Sequence, residues 1–365
     1  MARGSGRKPG KAGVDSVPID PPAVGPDFLG QPKTKKPDGQ GRAVSGRRRE
    51  PSEQRPVDSR AEGPSRLGPA TGRTPIDPPP VGPDFLDEMP IDPPPVGPDF
   101  LARSELAKLP LRKPAARGGY GWVRDLPDAR DQLFAGSQNR TLPDAVDLTP
   151  ECPPVYEQGA LGSCTAHALA AAIEFDLMKQ SRPAFTPSRL FIYFLERVIS
   201  GSVGRDSGAQ LRDGIKAVAK IGAPPETLWP YVPEKFAALP PERAFVAAKA
   251  DLVDSYFRMP HDIWRMRSCL ADGYPFAFGF TAYESFESAT VARTGKVPMP
   301  GSAERMLGGH AVLAVGYDDA KRIFLVRNSW GAGWGRAGYC LMPYEYLITP
   351  HLAGDAWTIR SVVGG

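Results

Sequence analysis

Apolar positions fall into two patterns along the chain. From Ser163 onward, Ala166, Ala170, Ile173 and Leu177 recur at helical spacing, and Ser163 is a good N-cap residue. The pattern predicts a helix over 163–179, and further helices over 187–200, 209–220 and 240–250. After about residue 251 the apolar residues cluster as in strands, predicted over 251–258, 275–283, 310–317, 322–328 and 338–343. Helices first and strands second is an α+β layout, with two lobes and a natural cleft between them.

The first third has neither pattern. Residues 1–120 contain 23 Pro and 16 Gly, whereas the following 245 residues contain 19 Pro. Composition therefore divides the 365 residues into a disordered Pro/Gly-rich basic tail (1–114), a strap (115–141) and one globular unit (142–365). The unit splits into a helical lobe, 142–250, and a sheet lobe, 251–365. The strap reading rests on Tyr120 and Trp122, since aromatics of that size need something to pack on.

Within the tail one phrase occurs three times, as PIDPPAVGPDFL at 18–29 and PIDPPPVGPDFL at 75–86 and 90–101. Its X-Pro bonds favour extended polyproline II structure. The copies read either as a semi-rigid spacer or as a docking motif, with the Asp-Phe-Leu tips (Phe28, Phe85, Phe100) filling pockets of a protein partner.

Charge narrows the partners. The first 120 residues carry 20 Lys+Arg against 15 Asp+Glu; the remainder carries 25 against 26. The basic excess belongs to the tail, so nucleic acid is not expected on the folded unit. No run of 18 apolar residues exists, so no membrane span is expected. The basic start, Met1 to Lys11, is not followed by an apolar stretch. The expectation is a protein that is cytoplasmic, or exported without an ordinary signal peptide. Four Cys without a Cys-x-x-Cys pair, and four His, predict neither a disulfide framework nor a metal site, and no cofactor.

Candidate chemistry lies in three blocks. In Gln158-Gly159-Ala160-Leu161-Gly162-Ser163-Cys164 a cysteine opens an amphipathic helix behind two glycines. A helix N-terminus favours negative charge and so a thiolate. The Cys164 N–H and the Gln158 side-chain amide can face a developing oxyanion. Gly308-Gly309-His310 enters an apolar strand, and Asn328-Ser329-Trp330-Gly331 follows. An Asn oxygen can fix an imidazole's tautomer, leaving the other ring nitrogen for the sulfur, and Trp330 can roof that pair against water.

In this order, and with Leu142-Pro143-Asp144-Ala145-Val146-Asp147 before them, the blocks resemble the papain-like cysteine peptidases over Leu142–Gly365. The resemblance implies a two-lobed fold with a helical left lobe and a β-barrel-like right lobe. It implies Cys164 as nucleophile, His310 as general base and acid, Asn328 as its orienter, and Gln158 with Cys164 as oxyanion hole. It implies a peptide or protein substrate bound along Ser207, Gly208, Gly309 and Trp330. Asp355 is a further candidate, one that would select basic side chains if it faces the pocket. The chain departs from the family in Thr165, where Trp is usual, and in Leu161, where a paired Cys is usual. The family's large helical propeptide is not visible, so the strap is expected either to close the cleft as a zymogen's pro-segment or merely to cover apolar surface. Cys152, Cys269 and Cys340 read as inert small hydrophobes, and His167, His261 and His351 as surface or core residues. An acyltransferase or peptide ligase with the same site, and a non-catalytic binding module, are the alternatives.

Overall fold

The computed structural model describes residues 119–136 and 140–364. The tail, its repeats and the start of the strap lie outside the described residues.

Four helices form the helical layer, α1 (Cys164–Lys179), α2 (Arg189–Ile199), α3 (Leu211–Lys220) and α4 (Glu242–Ala248), while α5 (Ile263–Ala271) packs against the sheet. Helix α1 is buried on every side from Cys164 to Leu177. Its run of alanines is strongly helix-forming and lets neighbouring elements approach closely. Ser163 occupies its N-cap without capping through its side chain. That hydroxyl instead meets the Tyr231 hydroxyl at 2.7 Å. On α2, Ser188 does cap, accepting from the Phe191 N–H. Phe191, Phe194 and Leu195 of α2 pack with Ala217 of α3 and with Ala244 and Phe245 of α4 to form the helical core.

The strands are β1 (Ala145–Asp147), β2 (Leu252–Arg258), β3 (Phe276–Tyr283), β4 (Met306–Asp318), β5 (Ile323–Arg327), β6 (Tyr339–Pro343) and β7 (Ala353–Val363). They form one antiparallel sheet in the order β2-β7-β3-β4-β5-β6, with β1 added beside β4. The sheet places β7, the last strand in sequence, between β2 and β3. Short helices α6 (Ala289–Thr294) and α7 (Tyr344–Ile348) complete the chain.

Every helix and strand anticipated from apolar spacing is present, with ends shifted by a few residues. Strand β7 was not anticipated. It opens with Gly354 and Asp355, residue types that strands disfavour. Asp355 also has φ 51°, and the β3–β7 register slips between Ala277 and Gly279. A bulge at its start therefore hides the strand's alternation.

The strap, 119–136, crosses from one layer to the other. Gly121 lies against Gly162 and Gly208 on the helical side, and Trp122 against Gly279 and Gly309 on the sheet side. Further on, it pairs with β2: the Arg258 N–H donates to Gln132 O (2.8 Å) and the Phe134 N–H to Arg258 O (2.9 Å).

Candidate active site

Cys164 opens α1 and is fully buried. The loop before it is tied to the Asn-Ser-Trp turn, because the Gln158 N–H donates to Ser329 O at 2.9 Å. The Gln158 side chain accepts from the Ser329 hydroxyl, and its amide donates to Leu161 O (3.0 Å) and to Gly119 O of the strap (2.7 Å).

His310 stands on β4 opposite Phe280 of β3. Its Nε2 lies 2.8 Å from Asn328 Oδ1, and the Ser329 N–H donates to the same oxygen at 2.8 Å. An amide oxygen only accepts, so Nε2 carries the proton and Nδ1 presents its lone pair. Nδ1 is buried and has no hydrogen-bond partner among the described residues. Trp330 covers the ring, with centroids 5.0 Å apart and planes tilted by 35°. Trp334 meets Trp330 edge-on at 5.3 Å.

Burial sets the charge state of this pair. It pushes the Cys164 thiol up to about 12, although backbone N–H groups of Ala311, Gly121 and Thr165 pull the other way. Burial likewise pushes His310 down to about 4, partly offset by Asn328. The thiolate expected from the helix N-terminus is thus not the favoured form here. Loss of water around sulfur outweighs a helix end worth about 1 kcal/mol.

The water is excluded by the strap. Tyr120 sets its ring edge-on to His310 (5.8 Å) and Trp330 (6.1 Å), and its hydroxyl donates to Glu287 at 2.7 Å. Gly121 passes so close to Gly162 that an added Cβ would stand 1.8 Å from Gly162 O. The Trp122 N–H donates to Gly309 O at 2.9 Å. Its ring lies on Gly279, where a Cβ would fall 1.9 Å from a ring carbon. Ala209 makes two bonds with the strap: it donates to Gly121 O (2.7 Å) and accepts from the Val123 N–H (2.9 Å), a parallel pairing.

Cys164, His310, Asn328, Gln158, Gly309, Gly208 and Trp330 therefore meet around one stretch of chain. Ser207 does not join them, because its hydroxyl turns to Ser202 at 2.8 Å. Gly208 contributes its surface rather than its amide, which donates to Tyr193. Asp355 accepts from the Asp125 N–H (2.7 Å) and from Arg258 (3.2 Å), so its charge is already answered by an arginine. That pairing removes the ground for expecting it to select basic side chains. Ala209 and Glu287 were missed, and Tyr120 was expected only as a packing residue of the strap. Ala209 acts through its backbone, which no side-chain pattern reports, and the other two meet across 167 positions of sequence. His167 is buried against Tyr231 and Ser163, and Cys269 and Cys340 are buried in the core. Cys152 is half-buried beside Leu148 O. Among the described residues no cluster of His, Cys, Asp and Glu is arranged to hold a metal, and no helix is long and apolar enough to cross a membrane.

Comparison with known proteins agrees with this geometry. Residues 142–348 match the family model described as papain family cysteine protease. An uncharacterised peptidase C1-like protein of Acanthamoeba polyphaga mimivirus is 40% identical over 270 residues, covering 67% of this chain and 87% of its own. Cathepsin S of Rattus norvegicus is 28% identical, covering 59% of this chain and 65% of its own. The crystal structure of xylellain, a cysteine protease from Xylella fastidiosa, superposes with TM-score 0.64 at 42% identity, covering 69% of this chain and 98% of that one. With the match extending over more than half its length, the chain belongs to the papain family of cysteine proteases.

Proposed function

We propose that the protein hydrolyses peptide bonds through a Cys164–His310–Asn328 triad, and that residues 119–136 hold it as a zymogen. With the strap lifted and water admitted, the Cys164 proton passes to His310 Nδ1. The thiolate attacks the substrate carbonyl carbon, forming a C–S bond and an oxyanion. The Gln158 amide and the Cys164 N–H stabilise that oxyanion. His310 returns the proton to the leaving nitrogen as the C–N bond breaks. Water then attacks the thioester, with His310 as base, releasing the acid and restoring the thiol. Asn328 holds the imidazole in the tautomer both transfers require.

The observation that carries this reading is what occupies the cleft. A peptide carbonyl, Gly119 O, sits on the Gln158 donor, so the cleft already receives a peptide chain. The strap's own hydrogen bond to the sulfur comes from the Gly121 N–H, a donor and not an electrophilic carbon. The strap thus fills the seat without offering a bond to attack, and it keeps thiol and imidazole neutral.

The test is mass-spectrometric mapping of a thiol-directed epoxysuccinyl inhibitor on the full chain and on its Gly121→Ala variant. The added methyl cannot enter beside Gly162, so the variant should label at Cys164 at least about tenfold faster. Equal rapid labelling would remove the zymogen reading. No labelling of Cys164 in either folded protein would sink the peptidase triad.

A further inference from the structure

Beyond the nucleophile the strap makes its densest polar contacts, around Asp131. Arg212, at the start of α3, donates Nε to Asp131 Oδ1 at 3.0 Å and Nη2 to Asp131 Oδ2. Its Nη1 donates to Leu126 O. Among the described residues every side-chain hydrogen bond of Arg212 goes to the strap. Yet its side chain is only 5% exposed, and Asp131 only 7%. Arg258 of β2 closes the clamp, donating to Asp131 Oδ2 at 2.7 Å while its other nitrogen holds Asp355.

Alongside lies a cavity of about 490 Å³. Lys216 and Lys220 line it from the body, against one acid, Asp254. Lys216 stands 3.5 Å from Asp128 of the strap. The strap therefore lays Asp128 and Asp131 onto body cations. Once it leaves, Arg212 loses every side-chain acceptor described for it. A fork of that kind matches a carboxylate in two-point geometry.

We propose that Arg212 and Arg258 form a carboxylate subsite of the open enzyme, which selects peptide substrates carrying an acidic side chain on the stretch of chain leading away from the scissile bond along α3 and β2. The proposal rests on the zymogen reading, since the strap must vacate the clamp. Asp131 is then a stand-in for the substrate's acid. Arg258 keeps Asp355 as a second partner and stays oriented, while Arg212 supplies the unanswered charge. Because the site lies beyond the triad, it acts on affinity and register and takes no part in bond making.

The experiment uses the full chain with Gly121→Ala and Asp131→Asn, which weakens the strap's hold at the nucleophile and at the clamp. Internally quenched peptides share one cleavage core and carry Asp, Asn or Lys at successive positions on either side of it. At one position or more, kcat/KM for Asp should exceed that for Asn by about tenfold, with Lys below both. Raising the salt, or adding Arg212→Gln, should bring the Asp/Asn ratio towards one. An Asp/Asn ratio near one at every position, or a preference for Lys, overturns the subsite. The same peptides, labelled and titrated by fluorescence anisotropy into the Cys164→Ala version, read the same ratio as affinities. That readout decides the subsite even if no peptide is turned over. If the unaltered full chain cleaves the Asn peptides as fast as the variant, the zymogen reading fails while the ratio still judges the clamp.

Discussion

At the residue scale the site depends on a few side chains whose partners are fixed by the backbone. Gln158 is fully buried, with its oxygen committed to Ser329, so its amide has one orientation. Gln158→Ala should therefore lower kcat about 10²–10³-fold, the usual cost of one oxyanion donor, with a much smaller change in KM. Burst kinetics on an ester substrate would check that the acylation step is the one slowed. Thr165, where the family usually has Trp, donates to Glu196 at 2.8 Å, so the departure links α1 to α2 through a hydrogen bond. Burial holds the Glu196 carboxyl well above the usual range, consistent with a neutral acid there.

At the scale of elements, the loop that carries Gly208 and Ala209 is anchored by Arg197 of α2. That fully buried guanidinium donates to Tyr193 O (3.1 Å), Val203 O and Phe236 O, and lies over the Tyr193 ring at 4.0 Å. Arg197→Met would leave carbonyls without donors. It should cost about 2–4 kcal/mol of stability in denaturant titrations and weaken inhibitor binding along Ala209. These two layers differ in how far the sequence shows them. Helix α1 is legible because its apolar residues recur at helical spacing, and strands β3 and β4 because each carries a buried, mostly apolar run, 276–282 in β3 and 311–317 in β4. The triad candidates are legible because Cys, His and Asn each stand in a short Gly-flanked block. Strand β7 is hidden by the bulge at Asp355. The part of Ala209 in seating the strap is hidden because it acts through backbone atoms alone. The thiol's protonation is hidden because desolvation depends on what lies above the helix, and that is a distant stretch of chain.

At the scale of the whole molecule the strap joins the layers, and its attachment is expected to respond to pH. Asp125 accepts from the Arg212 N–H at 3.2 Å, capping α3 where Gln210 does not, and from Trp357 at 3.0 Å. Burial, reinforced by the neighbouring Asp355 carboxylate, pushes the Asp125 carboxyl up to about 6, while Trp357 and Arg212 act against that rise. Seating the strap therefore takes up a proton. The favourable contribution is complete below the ordinary carboxyl value near 4 and is lost as pH rises through about 6. Labelling of Cys164 in the full chain should accelerate from pH 5 to pH 7.5 by more than thiol ionisation accounts for. Asp125→Asn should remove the excess, measured against Gly121→Ala at each pH. An equal excess in both proteins would clear Asp125 of that role.

The 1.8 Å approach at Gly121 also has a genetic side. Any single-nucleotide missense change in that codon adds at least one carbon atom where there is no room for it. On the zymogen reading, most errors at this position free the enzyme instead of disabling it. A population carrying the gene should then show fewer substitutions at Gly121 than at Cys164, where the same error merely silences the enzyme. The harm in the first case comes from unrestrained proteolysis, and in the second only from its absence.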